Sequence, residues 1–165
     1  MSLDVELKQF TPDDFEYYFK LVNDIRVMAM ISERAIPLEE AARDFTLLLQ
    51  NNEGHKEFGN FKIIDKASQD FLGLAKLELA LPKADEAELG YMILPEFWGR
   101  GIATSAVKLL LARAEQLPTL TRLFAIIDPK NIPSRKLLIN SDFVSVAFKD
   151  FDGLPGEIVE LRRIL

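Results

Sequence analysis

The chain has 165 residues, 48% hydrophobic and 28% charged, with a net charge of −6 and no cysteine. That length suits one domain, spanning residues 1–165, whose core needs no disulfide or metal staple. The missing cysteines exclude disulfides, thiolate metal sites and a cysteine nucleophile, and they fit a cytoplasmic protein. The acidic balance argues against a nucleic-acid partner and is compatible with cationic substrates such as amines. The longest apolar runs, such as residues 109–112, are far too short for a membrane span. The first eight residues lack the basic start and apolar stretch of a signal peptide. The one histidine, His55, lies in a polar loop and reads as a solvated residue. No metal site is expected.

In chain order, residues 5–10 alternate as a first strand. Thr11, Pro12, Asp13 and Asp14 then read as a helix start, with a capping hydroxyl, proline in the first turn and acids behind it. Phe15, Tyr18, Phe19, Val22 and Ile25 keep the spacing of one apolar helical face. A second helix follows Pro37 and buries Phe45, Leu48 and Leu49. Residues 57–65, 71–81 and 86–94 read as three strands joined by hairpins at 66–70 and 82–85. A long helix over 101–116 carries Ile102, Ala106, Leu109, Leu110 and Leu117 on one side. The run Leu123–Ile127 inside 122–128 predicts a strand buried on both faces. A short helix over 133–140 and strands over 143–149 and 157–164 complete the chain. The order predicts an α/β (α+β) fold, with about four helices flanking one mixed, mostly antiparallel sheet of about seven strands.

The stretch from Glu88 to Ala106 carries the chemistry. A strand ends near Leu94, Pro95 stops its ladder, and a glycine-punctuated turn enters a helix. The first amides of a helix have no internal partner, and the helix dipole is positive there. Glycines at 99 and 101 admit unusual dihedrals and let an anion approach the backbone. Together these features predict a phosphate site. Arg100 either adds charge or points to water. A dinucleotide fingerprint would need glycine where Thr104 stands, and the lysine-bearing loop of nucleotide triphosphatases is absent.

A second motif follows the buried strand: Asn131-Ile132-Pro133-Ser134. With Gly90-Tyr91-Met92-Ile93 and Trp98-Gly99-Arg100-Gly101-Ile102-Ala103, it resembles the GNAT superfamily of acetyl-CoA-dependent N-acetyltransferases. The likeness leans toward the ribosomal-protein alanine N-acetyltransferase (RimJ/RimL-like) branch, and it is sharp over residues 88–143. The resemblance implies a GNAT-like fold and acetyl-CoA as cosubstrate. It also implies that backbone groups of Ile93 and Leu94 bind the pantetheine arm. Residues Trp98, Gly99, Arg100, Gly101, Ile102 and Ala103, with Thr104, would hold the pyrophosphate. Asn131 and Ser134 would touch the cofactor near its sulfur. Asn131 is equally a natural helix N-cap, and Trp98 a packing residue.

Without cysteine, transfer must run directly from thioester to amine. Glu88 is the first candidate for the group that takes the amine's proton, and Glu78 on the neighbouring strand is the second. The competing role for both is that of solvent-facing strand acids. The sequence departs from many superfamily members at Leu138, where they carry a tyrosine general acid. Ser134, water or Tyr91 would then assist the departing thiolate. Asp142 also replaces the glycine common after that helix. The resemblance assigns the acceptor pocket to residues 23–36, including Arg26, Met28, Met30 and Arg34, and to the later hairpins. The acceptor is an amine, either a peptide N-terminus, a polyamine or another small amine. The protein would be a monomer or homodimer. An acyl-CoA-binding module without catalysis and an enzyme of another nucleotide are the competing readings.

Overall fold

The computed structural model describes residues 4–54, 56–80 and 85–162. Within them one seven-stranded sheet runs in the order β1-β2-β3-β4-β5-β7-β6. The strands are β1 Val5–Gln9, β2 Gly59–Asp65, β3 Phe71–Leu79, β4 Glu86–Ile93, β5 Arg122–Ile127, β6 Val144–Phe151 and β7 Leu154–Arg162. Neighbours pair antiparallel except β4 with β5. The helices are α1 Phe15–Val22, α2 Ile25–Met28, α3 Leu38–Glu53, α4 Ile102–Glu115 and α5 Ile132–Asn140. The expected mixed, mostly antiparallel sheet is present. His55, residues 81–84 and the end of the last predicted strand lie outside the described residues.

Alternation along the strands sorts their side chains onto two faces. Ala75, Leu77, Ala87, Leu89 and Ile93 share a core with Ile102, Ala106, Val107 and Leu110 of α4 and with Leu138 of α5. Leu74, on the opposite face, joins Tyr18, Leu21 and Val22 of α1 and Ala41, Phe45 and Leu48 of α3. The sheet therefore has α4 and α5 on one side and α1 to α3 on the other.

Three expectations need correction. The single first helix is broken into a 3-10 turn, Pro12–Asp14, followed by α1 and α2. Ile25, expected on its buried face, is 53% exposed. The cause is local: the Asn23 amide donates to the Phe19 carbonyl and that of Asp24 to Leu21, closing α1. The Asp24 carboxylate then accepts the Arg26 amide and starts α2. Leu49 is only partly buried. The run in β5 is not covered on both faces: Leu123 and Ala125 are buried, whereas Ile126 is 39% exposed because it lines a cleft rather than packing under a helix.

At the chain's first turn Thr11 and Asp14 form a reciprocal capping box. The Thr11 hydroxyl donates to the Asp14 carboxylate at 3.1 Å, and the Thr11 amide donates to the same oxygen at 2.8 Å. Lys62 of β2 adds an ion pair at 2.8 Å. Burial alone would raise the Asp14 pKa, but the bonds from Lys62 and Thr11 outweigh it and hold the carboxyl below its ordinary value. This pair pins the start of α1 to the sheet and so fixes one wall of the cleft.

Candidate active site

Parallel pairing between β4 and β5 covers only Glu86–Glu88 against Arg122–Phe124. Beyond that the strands diverge. The Leu94 amide donates to the Leu72 carbonyl at 2.9 Å, so the backbone at residues 94, 92 and 90 is turned toward β3. By alternation, the backbone edges of Tyr91 and Ile93 face the wedge between β4 and β5. A Cβ on Gly73 would collide with the Met92 carbonyl, so β3 approaches β4 closely just behind this wedge. A cavity of about 1410 Å³ fills the wedge and runs from α4 and α5 through to α1–α3.

One mouth of the cavity is the glycine turn. After the 3-10 turn Pro95–Phe97, Gly99 has φ +78° and Gly101 has φ +76°. Gly101 is the N-cap of the fourteen-residue α4, and no side chain caps the helix's first amides. Ile102, 2% exposed, anchors this helix start in the core. Gly99, Gly101, Ile102, Ala103 and Thr104 line the cavity. Trp98 does so too, and its indole N–H donates to the Ile93 carbonyl at 2.9 Å, tying the turn to the end of β4. Arg100 is not among the lining residues: its guanidinium stands 5.6 Å over the Phe97 ring. Lys108 and Lys136 supply positive charge to the lining instead.

At the start of α5 the Asn131 side chain accepts the Ser134 amide at 3.3 Å, the expected cap, while also lining the cavity. Ser134 Oγ and the Tyr91 hydroxyl share a hydrogen bond of 2.8 Å across the wedge. Burial raises the pKa of the Tyr91 phenol, with the Ser134 bond acting in the opposite direction. Leu138, 1% exposed, belongs to the core and forms part of the cavity wall. The helix closes with the Phe143 amide on the Leu138 carbonyl and Asp142 at φ +74°. That left-handed position explains the glycine expected there, and aspartate is among the side chains that tolerate it. Arg135 of α5 holds the fully buried Glu157 of β7 at 2.9 Å, fixing the helix to the sheet.

The far end of the cavity is polar at its floor. Glu78 and Glu88 stand directly opposite each other on β3 and β4, and both line the cavity. Like charges in that register repel, and each has a separate neighbour. Lys76 Nζ lies 3.3 Å from Glu88, and Asn60 Nδ2 donates to Glu78 at 2.6 Å. Asn60 is itself fixed by the buried Asn52 of α3. The Asn52 side chain accepts the Asn60 amide at 2.7 Å and donates to the Asn60 carbonyl at 3.0 Å. Arg26 and Met30 line the cavity, Met28 is in the core, and Arg34 is not among the lining residues but pairs with Glu40. Burial, helped by Asp44 and Glu40, pushes the Tyr18 phenol on this wall up to about 12. Asn52, Asn60, Lys76 and Lys108 went unmarked in the sequence. Only Lys108 had a signal there, two helical turns beyond Gly101.

A wedge opened between two parallel strands, with an uncapped helix start at one end and carboxylates at the other, suits an extended ligand with an anionic end. The family comparison agrees in kind. The model of the acetyltransferase (GNAT) domain matches residues 4–144. An uncharacterized N-acetyltransferase, p20 of Bacillus licheniformis, is 26% identical over 121 residues, covering 73% of this chain and 68% of that protein. The fold is shared with a spermidine N-acetyltransferase from Vibrio cholerae in complex with CoA and spermine, at TM-score 0.77 and 19% identity, covering 96% of this chain and 95% of that one. It is also shared with RimL, a ribosomal L7/L12 alpha-N-protein acetyltransferase in complex with coenzyme A, at TM-score 0.79 and 13% identity, covering 96% and 93%. The chain belongs to the GNAT family and is an N-acetyltransferase, whose general reaction is acetyl-CoA-dependent acetyl transfer.

Proposed function

We propose that this chain transfers the acetyl group of acetyl-CoA directly to a primary amine, with Tyr91, Ser134 and Glu88 handling the protons. The observation that carries the reading is the continuity of one cavity. It joins the uncapped start of α4, the free backbone edge of β4, the Tyr91–Ser134 pair and the Glu78–Glu88 floor.

The residues present fit the cofactor. Left-handed Gly99 and Gly101 leave the first amides of α4 open to a pyrophosphate, with Lys108 nearby. The backbone at Tyr91 and Ile93 receives the pantetheine amides as an added strand would, a role the Leu94 amide does not share because it is bonded to the Leu72 carbonyl. The Ile93 carbonyl is engaged by Trp98, which leaves the Ile93 amide as donor. When bound, the thioester supplies an acyl carbon activated for attack.

The amine nitrogen attacks that carbon, the carbon–sulfur bond breaks, and the products are an N-acetyl amide and a thiol. Glu88 takes the proton lost by the amine, directly or through water, while Lys76, 3.3 Å away, holds it in place. Tyr91 donates toward the departing sulfur, with Ser134 holding its hydroxyl in place. Tyr91 thus fills the task left vacant by Leu138. Asn131 caps α5 and contacts the cofactor.

The acceptor is a protein N-terminus or a small amine. A RimJ/RimL-like branch is supported by Trp98 opening the glycine turn. The chain works as one domain in the cytoplasm, as a monomer or homodimer, without metal or nucleic acid. Among the described residues, no helix is long and apolar enough to cross a membrane. Thiol release from acetyl-CoA, measured with a panel of amines, tests the reading. Release that depends on added amine supports it. Tight acetyl-CoA binding without release would instead favour the non-catalytic acyl-CoA module that Leu138 keeps in play, and binding of NAD or ATP alone would remove both.

A further inference from the structure

We infer that the acceptor is a primary monoamine carried on an apolar body rather than a polycation, an inference that rests on the acetyl-transfer reading. The walls of the acceptor half are Val27, Met30, Ile31, Leu47, Leu74 and Met92. Three of these stand open to water: Met30 at 41%, Ile31 at 47% and Leu47 at 58% exposure. Apolar side chains gathered at the mouth of a cavity are unfavourable there until something apolar covers them.

One carboxylate beneath those walls is held in place for an ammonium. Three carboxylates line this half: Asp44, Glu78 and Glu88. Glu88 has Lys76 beside it. Asp44 has only a distant cation in Arg34, which is itself paired with Glu40, and the neighbouring Arg26 is taken by Asp24 at 2.7 Å. Neither Asp44 nor Glu78 forms an ion pair among the described residues, and of the two only Glu78 is hydrogen-bonded in place, by the neutral Asn60. Asn52 holds Asn60, so Glu78 is a positioned carboxylate with one negative charge to offer. A triamine would bring two further positive charges along walls made largely of methionine, isoleucine and leucine, where Asp44 is the one other carboxylate without an ion pair to offset the hydration they lose.

The test compares kcat/KM for thiol release from acetyl-CoA with butylamine, hexylamine, leucinamide, a leucyl tripeptide, glycinamide and spermidine. Each buried methylene is worth about fourfold, so hexylamine should exceed butylamine by roughly tenfold and spermidine by at least as much. Leucinamide and the tripeptide should both exceed glycinamide. Their ratio tells whether the apolar body arrives as a small amine or as a peptide N-terminus. Leu47→Glu, at an exposed position where folding is not at stake, should lower hexylamine turnover about tenfold and raise that of spermidine. Spermidine or glycinamide matching hexylamine, or an unchanged ranking in Leu47→Glu, overturns this inference and leaves acetyl transfer standing. Absence of release with every amine overturns both.

Discussion

At the α4–α5 end of the cleft the chain works mainly through its backbone, whereas at the α1–α3 end it works through side chains. The first end needs unusual dihedrals, open amides and a strand edge, and these come from neighbouring residues in one stretch, 88–104. The second end needs Asn52, Asn60, Lys76, Glu78 and Glu88, which three different strands and a helix bring together. Backbone sites leave contiguous glycine and proline motifs. Side-chain sites leave almost no trace along the sequence, because the spacing between contributors is set by register and packing.

Substitutions can break this contrast. The largest effect is expected at Gly101, whose φ of +76° suits glycine. Gly101→Val should abolish acetyl-CoA binding, a loss of more than about a hundredfold by titration, since it strains the turn and crowds the open amides. Arg100→Ala, acting on a side chain that lies over Phe97, should weaken binding by no more than about threefold. Equal losses at the two positions would show that the site works by side-chain charge after all.

Next in size is the pair that bridges the two ends. Tyr91→Phe should lower kcat about a hundredfold with little change in acetyl-CoA affinity, and Ser134→Ala should lower it less, in the same sense. Because burial raises the Tyr91 pKa, the phenol stays protonated past the ordinary tyrosine range. The parent rate should therefore not fall on the alkaline side until above about pH 10. An alkaline fall near neutrality would remove Tyr91 as the donor. Glu88→Gln should cost about tenfold near pH 6 and progressively less as pH rises and the amine loses its own proton. An unchanged pH profile in that variant would free Glu88 from the role. Smallest is Asp142→Gly, which should stabilise the fold by about 0.5 kcal/mol in thermal unfolding, by relieving a left-handed aspartate.

Much of the fold was legible because its signals are periodic. The apolar runs in 71–79 and 86–93 and the three-and-four spacing in α4 each report burial. The broken first helix was not, since the face from Phe15 to Ile25 continues in pattern across a turn that only Asn23 and Asp24 create. Apolar β5 was misread for a related reason: a strand run does not tell whether a helix or a cleft lies over its second face. In the site, Trp98 to Thr104 and Asn131 to Ser134 were visible as motifs. The partnership of Tyr91 with Ser134 was not, because it depends on how far β4 and β5 have parted at that level.

The three-residue seam between β4 and β5 has a mechanical consequence. Among the described residues it is the only parallel joint in the sheet, and strands β1–β4 and β5–β7 are stitched across it by three rungs. A ligand lying along the open edge of β4 would continue that stitching and act as a removable splint between the two blocks. Amides beside the seam should then exchange with deuterium far more slowly when coenzyme A is added. The melting temperature should also climb with ligand concentration, by mass action worth about 2.7 kcal/mol at a hundred times the dissociation constant.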